Sequence, residues 1–262
     1  MDFDRVKQIG ISAAYKGAGI LQSYFGKITR INKKGAIDLV TEADLRSEEK
    51  VVSTIRAAFP DHTILAEESG LKEGTPEYRW LVDPLDGTTN FAHQVPIFCI
   101  SIAFAARDNI RVGIVLNPIN GELFTATRDG GAQRNGKPIQ VSSTARISDS
   151  LLVTGFPYNL REIFDQIVTR YASCLRAAQG IRRLGSAALD LCYVACGRFE
   201  GFWEQNLKPW DTAAGSLIAA EAGGRVTDFS NQGFQVDAKE ILATNGQIHD
   251  EMLSLLRLEE NI

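Results

Sequence analysis

Acids placed at the ends of apolar runs are the residues of this chain best suited to chemistry. The stretch Trp80-Leu81-Val82-Asp83-Pro84-Leu85-Asp86-Gly87-Thr88-Thr89-Asn90-Phe91 opens like a buried strand and breaks into carboxylate. Pro84 cannot donate a ladder hydrogen bond, so the strand is expected to stop there. Asp86-Gly87 then turns the chain, and Thr88-Thr89-Asn90 supply polar groups that start a helix. Two acids at a strand end, with the Leu85 carbonyl between them, form an all-oxygen set suited to a hard cation such as Mg²⁺. Amides after Gly87 would face the same crevice, where a helix start favours phosphate. The same letters fit an ordinary hairpin turn, and by itself the stretch does not choose.

The pattern recurs. Thr63-Ile64-Leu65-Ala66 reads as a strand running into Glu67-Glu68-Ser69-Gly70, and Gly201-Phe202-Trp203 ends in Glu204. Glu-Glu in a loop is ordinarily a solvated pair, yet ligands commonly bind at strand ends in layered α/β folds. Thr41-x-x-Asp44 has the form of a capping box, and Asp211, in Lys208-Pro209-Trp210-Asp211-Thr212-Ala213-Ala214-Gly215, that of a helix N-cap.

Other chemistries lack their residues. The sequence has no GxxxxGK[ST] loop, no GxSxG elbow and no complete GxGxxG after a strand. His62, His93 and His249 are scattered singly, against a histidine zinc site or a Ser-His-Asp arrangement. Acids, threonines and backbone amides remain, and together they suit Mg²⁺-assisted phosphoryl transfer to water.

The elements that must position these groups can be read from periodicity. Val6, Ile9, Ala13, Gly17, Ile20, Leu21 and Tyr24 mark one buried helical face over residues 4–25. A strand or loop follows from Lys27 to Lys34, then a second helix with Leu45, Val51, Val52, Ile55 and Phe59 inward and Pro60 as its stop. Phe98 to Ala106, Val112 to Asn117 and Glu122 to Thr127, with turns at Asp108-Asn109 and Asn120-Gly121, form a β-meander, and Asn135-Gly136 adds a hairpin. In the second half, strands are expected at Ser150 to Thr154, Gly201 to Glu204, Arg225 to Asp228 and Ile241 to Thr244. Helices fall at about 160–178, from Gly185-Ser186-Ala187-Ala188 to Val194, after Pro209, and from His249 to Leu258. This divides the chain into an N-terminal α+β lobe (1–145) and a C-terminal α/β lobe (146–262).

Composition narrows the class. With 262 residues, 44% apolar and 23% charged, the chain is an ordinary globular protein of one large core or two modest lobes. A net charge of −4 gives no footprint for nucleic acid or an anionic membrane. No run approaches the ~18 apolar residues of a membrane span, and Met1-Asp2-Phe3-Asp4-Arg5 opens acidic without a signal-peptide core. Cys99, Cys174, Cys192 and Cys196 lack a CxxC pair and read as free thiols. The expected compartment is the cytoplasm.

Taken together, these motifs resemble a known family. Asp83-Pro84-Leu85-Asp86-Gly87-Thr88-Thr89-Asn90-Phe91 is similar to the first signature of the inositol monophosphatases. Trp210-Asp211-Thr212-Ala213-Ala214-Gly215 with Glu221-Ala222-Gly223-Gly224 resembles the second. Asp38-x-Val40-Thr41-x-x-Asp44 and Glu67-Glu68-Ser69 occur in the family's order and spacing, and Arg182-Arg183-Leu184-Gly185-Ser186-Ala187-Ala188-Leu189-Asp190 looks closest to its bacterial branch.

The resemblance implies a layered αβαβα fold of α+β class, acting as one catalytic unit with its site between the lobes. It implies one Mg²⁺ on Glu67, Asp83 and the Leu85 carbonyl, a second on Asp83, Asp86 and Asp211, and a third, weaker ion near Glu67. Thr88, polarised by Asp44, would orient the attacking water with help from Glu67. Gly87 and Thr88 amides would hold the phosphate, while Asp86, Glu204 and the Ala187 backbone would meet the alcohol, with Lys33 a further candidate. Lithium inhibition and a homodimer are family expectations.

The activity implied is Mg²⁺-dependent hydrolysis of myo-inositol 1-phosphate and similar polyol phosphates. Fructose 1,6-bisphosphate and other sugar or nucleotide phosphates are alternatives on the same fold. A regulatory role through a protein or RNA partner is the alternative of another class.

Overall fold

A computed structural model describes residues 1–27, 31–33, 39–157 and 159–258, and the side chains at 31–33, 39 and 40 fall outside the description. Asp38 and the side chain of Lys33 therefore lie outside the described residues.

The chain begins with α1 (Phe3–Tyr24), started by Asp2, whose carboxylate accepts from the Asp4 and Arg5 amides. A ribbon of β1 (Ile31–Lys33) and β2 (Leu39–Thr41) leads into α2 (Glu42–Ala58). Val51, Val52, Ile55 and Phe59 are buried as their spacing requires. Leu45 is not: it is 50% exposed, because it lies on the face continued one turn later by solvent-exposed Glu49.

Next come β3 (His62–Ala66), β4 (Gly70–Lys72), β5 (Thr75–Asp86) and the short α3 (Thr88–Ala92). The meander follows as β6 (Cys99–Ala106), β7 (Asn109–Asn117), β8 (Glu122–Thr127), β9 (Ala132–Arg134) and β10 (Lys137–Pro138). These eight strands form one sheet in the order β10-β9-β8-β7-β6-β5-β3-β4, antiparallel except for the β3–β5 pair. The β6–β7 turn sits at Arg107-Asp108 (φ 51° and 61°), one residue before the expected Asp108-Asn109, and Asn109 already pairs in β7.

β5 does not stop at Pro84, its expected end, but continues to Asp86 through a one-residue bulge, since Asp83 pairs with Ser101 and Asp86 with Cys99. Pro84 is tolerated because its missing N–H falls inside the bulge, where no ladder bond is required.

The remainder comprises β11 (Leu151–Thr154), α4 (Phe164–Ala177), β12 (Gly180–Arg182), α5 (Ala187–Ala195), β13 (Gly201–Gln205), α6 (Pro209–Glu221), β14 (Arg225–Thr227), β15 (Glu240–Thr244) and α7 (His249–Leu256). Its five strands are ordered β12-β11-β13-β15-β14. Sequence patterning missed β4 and β12, each of three residues, too short to show an alternation. The last helix ends at Leu256, two residues before the expected Leu258.

Alternation along the strands builds the layers. Trp80, Val82, Ile100, Ile102 and Phe104 face α1 and α2, while Leu81, Cys99, Ala103 and Ala105 face α5 and α6. In the second sheet, Val153, Phe202 and Ala243 face α5, while Leu152, Trp203 and Leu242 face α4 and α7. The result is α/β/α/β/α, with α5 and α6 sandwiched between the sheets. Small residues allow that middle layer to close: a Cβ on Gly113 would stand 2.7 Å from the Ala214 carbonyl oxygen. Among the described residues, no helix is long and apolar enough to cross a membrane. All four cysteines are free, with Cys196 less buried than the other three.

His249 gives the fold a pH dependence. Its Nδ1 is 2.8 Å from Thr244 Oγ1 and its Nε2 is 3.0 Å from Thr227 Oγ1, which donates onward to the Asp228 carbonyl. That chain suits a neutral ring donating from Nε2 and accepting at Nδ1. Burial, then the Arg225 charge, push the imidazole down to about 4 from 6.5. Below pH 6.5 the unfolded chain takes up a proton that the folded one refuses until about pH 4, so stability falls as pH falls through this window. The full effect is about 3 kcal/mol. A His249→Asn variant should show a shallower loss of melting temperature from pH 7 to 4 than the parent; parallel curves would exclude this role.

Candidate active site

The parallel β3–β5 pair brings two of the expected acids together. Ala66 lies beside Val82 and the Glu67 amide donates to the Val82 carbonyl at 3.1 Å, so Glu67 and Asp83 leave adjacent strands at one level. Buried Glu48 fixes the loop behind them, accepting from the Glu68 and Ser69 amides at 2.7 and 2.8 Å. Ser47 donates to the Pro84 carbonyl at 3.0 Å, holding the bulge.

The bulge turns Asp86 toward the start of α5. Its Oδ2 accepts from Ser186 Oγ at 2.7 Å and the Ala188 amide at 2.8 Å, with the Ala187 amide also aligned on the carboxylate. A helix N-terminus favours such a charge. Ser101 Oγ donates to the Trp210 carbonyl at 3.0 Å and ties the start of α6 to β6. Asp211 is therefore delivered beside β5. It is not the N-cap expected: α6 starts at Pro209, and Asp211 reaches back from the third helical position to accept from the Lys208 amide at 2.7 Å.

Thr41 and Asp44 serve two purposes at once. Asp44 Oδ2 accepts from the Thr41 amide at 2.9 Å, completing the capping box, while Oδ1 accepts from Thr88 Oγ1 at 3.0 Å. Thr88 Oγ1 also stands 3.1 Å from the Leu85 carbonyl. Gly87 joins bulge to helix with φ +100°, and a Cβ there would meet the Ile97 carbonyl at 3.0 Å, so glycine is required twice over.

These groups line one cleft of about 290 Å³, suited to a metabolite-sized ligand. Of the residues expected, Glu67, Asp83, Leu85, Asp86, Gly87, Thr88, Ala187, Glu204 and Asp211 line it, and Asp44 stands behind Thr88. The sequence reading missed Ser186, Gly155 and Asp190, and left Arg183 outside the site, yet all four line the cleft. A lone acid in the apolar helix Ala187–Ala195 was the available signal for Asp190; Gly155 offered none, since its use is a tertiary contact.

The electrostatics are those of crowded acid. Asp83 is pushed well above the usual carboxylate range by burial and then by Glu67, Asp86 and Asp211. Asp211 is pushed up by burial and then by Asp86. Asp86 rises by burial, opposed by its bonds from Ser186 and the α5 amides. Burial also raises Asp44, against the bonds from Thr41 and Thr88. Glu204 is pushed up to about 8 by burial, with Arg183 opposing.

Among the described residues, no three acid, histidine or cysteine side chains close into a finished coordination shell. The donor chemistry nevertheless fits a hard divalent cation. Each internal bond above occupies only part of a carboxylate's acceptor capacity, and mutual repulsion among the acids is what a cation would reverse. Glu67, Asp83, the Leu85 carbonyl, Asp86 and Asp211 are the oxygens able to hold it.

Comparison with known proteins shows what the whole chain is similar to. Residues 2–260 match the family model of the inositol monophosphatase family. An inositol-1-monophosphatase of Synechocystis is 45% identical over 95% of this chain and 88% of its own. The Nus factor SuhB of Escherichia coli is 39% identical over 96% of this chain and 95% of its own. Among solved structures, the inositol monophosphatase of Anabaena (Nostoc) superposes with a TM-score of 0.89 at 43% identity, covering 98% of this chain and 96% of that one. The extragenic suppressor protein suhB of Bartonella henselae gives 0.94 at 38% identity, covering 98% and 100%.

Proposed function

This chain belongs to the inositol monophosphatase family, and we propose that, within that family of phosphatases, it is a Mg²⁺-dependent phosphomonoesterase acting on myo-inositol 1-phosphate and related polyol phosphates. The observation that carries the reading is the arrival of Glu67, Asp83, Asp86 and Asp211 at one cleft from the ends of β3, β5 and α6. Bound by these oxygens, divalent cations would offset the acids' charge, acidify the attacking water and stabilise the leaving alcohol's oxygen.

The chain's own groups do the rest. Thr88 donates its hydroxyl proton to Asp44, which leaves oxygen lone pairs to receive a water proton and aim that water at phosphorus. Glu67 stands on the same side to assist. First-turn amides of α3 have no intrahelical acceptor and hold phosphate oxygens beyond Gly87. On the alcohol side, Asp86, the Ala187 backbone and Glu204 take the hydroxyls. Residues of both sheets contribute, so residues 1–145 and 146–262 work as one catalytic unit.

The test is phosphate release by the purified protein from myo-inositol 1-phosphate and fructose 1,6-bisphosphate, each with Mg²⁺ and with EDTA. Release from the inositol ester that needs Mg²⁺ and exceeds that from the bisphosphate is expected. Faster turnover of the bisphosphate would reassign the substrate, and release undiminished by EDTA would remove the metal from the reading.

The name Nus factor, borne by the Escherichia coli relative, favours a second reading, a regulatory role through a protein or RNA partner. Asp86→Asn separates the two, since hydrolysis should not survive it and a binding role should.

A further inference from the structure

Asp190 is 1% exposed, and neither carboxyl oxygen has a hydrogen-bond partner. Nearly all buried polar groups in folded proteins are bonded, so an acid with both oxygens unmet calls for a specific reason. Its place supplies one. Asp190 sits in the first turn of α5, held by its own amide to the Ser186 carbonyl at 2.9 Å, and its side chain lines the cleft.

The surroundings define what such a group could take. Across the cleft wall lies Glu204, close enough for the two charges to interact, and Arg183, whose positive field acts on both. Gly155 backs Glu204 so closely that a Cβ there would stand 2.0 Å from Oε2, which pins the glutamate in place. Arg183 itself lies 5.7 Å over the Phe156 ring. Two interacting carboxyls that line the same cleft present acceptors to the O–H donors of a bound molecule. An apolar group there would leave the acids unmet.

We propose that Asp190 accepts a hydroxyl of the bound alcohol, next to the one taken by Glu204, so that this end of the cleft selects phosphate esters with adjacent free hydroxyls. The assignment rests on the phosphomonoesterase reading above and adds to it a specificity residue. It also accounts for a buried acid that the fold does not otherwise use, since function is where proteins keep groups that cost stability.

The test compares the parent with Asp190→Asn, which keeps the shape, and Asp190→Leu, which removes both acceptors. Two quantities are measured in Mg²⁺: kcat/KM for myo-inositol 1-phosphate, and Ki for inorganic phosphate, which has no alcohol part. Both variants should lose about 10–100-fold in kcat/KM, the value of a hydrogen bond to a charged group, with Ki changed less than about two-fold. Equal damage to kcat/KM and Ki would mean that Asp190 only shapes the site, and no change in either would mean that it touches nothing; each overturns the proposal. A parent protein that releases no phosphate would sink the phosphomonoesterase reading, and this assignment with it.

Discussion

Asp83→Asn is expected to cut Mg²⁺-dependent phosphate release by about 10³-fold or more, roughly 4 kcal/mol of transition-state stabilisation, while raising the melting temperature in EDTA. The two effects share a cause. Asp83 is 2% exposed, and its charge is opposed by burial and by Glu67, Asp86 and Asp211. Without a cation that charge is a liability, and the amide removes it while keeping the shape and an acceptor for the Leu85 amide, 2.9 Å away. With a cation bound as proposed, the same charge would be a central ligand.

The sign follows from linkage. A carboxyl raised in the folded state gives stability that is full below its unfolded value near 3.8 and is lost as pH rises through the folded value. In EDTA the parent should therefore lose ground to the variant as pH increases, with each kcal/mol gained appearing as about 2–4 °C in the melting temperature. A variant that kept its turnover, or melted lower in EDTA at neutral pH, would contradict the acid-cluster account.

Thr88→Val should lower kcat by about 10²–10⁴-fold with KM changed only a few-fold, the signature of a group that acts on the attacking water. Valine has nearly threonine's shape and removes the hydroxyl that links Asp44 Oδ1, at 3.0 Å, to the cleft. Folding should be little affected, because Asp44 Oδ2 keeps its bonds from Thr41 and the capping box survives. Thr88→Ser should recover most of the rate. If Thr88→Val cost no more than about three-fold, water would be oriented by something else and Asp44 would be left with its cap alone.

Much of this site was legible in the chain because strand ends, turns and helix starts are local features. Trp80–Val82 running into Asp83, and Thr63–Ala66 running into Glu67, were visible as apolar runs broken by acid. The capping box at Thr41 and Asp44 was visible too, while its second use was expected only through the family resemblance, since Thr88 lies forty-four residues further on. Pro84 misled for a physical reason: a missing N–H ends a regular ladder, but a bulge absorbs it, and a bulge depends on the partner strand. Leu45 misled because an apolar residue near a helix start says nothing of which face will be covered.

By itself, then, the sequence determined the kind of chemistry, the order of the elements and the acids at their ends, because residue types and short-range periodicity set these. Tertiary structure decided which acids meet. Glu67 joins Asp83 because β3 and β5 run parallel in register, and Asp211 joins them because the start of α6 is tied to β6 through Ser101 and Trp210. It also decided what no pattern could carry: that Gly155 must lack a side chain to make room for Glu204, and that Asp190 is buried without a partner. Such facts depend on distances between segments far apart in the chain, and only packing fixes those distances.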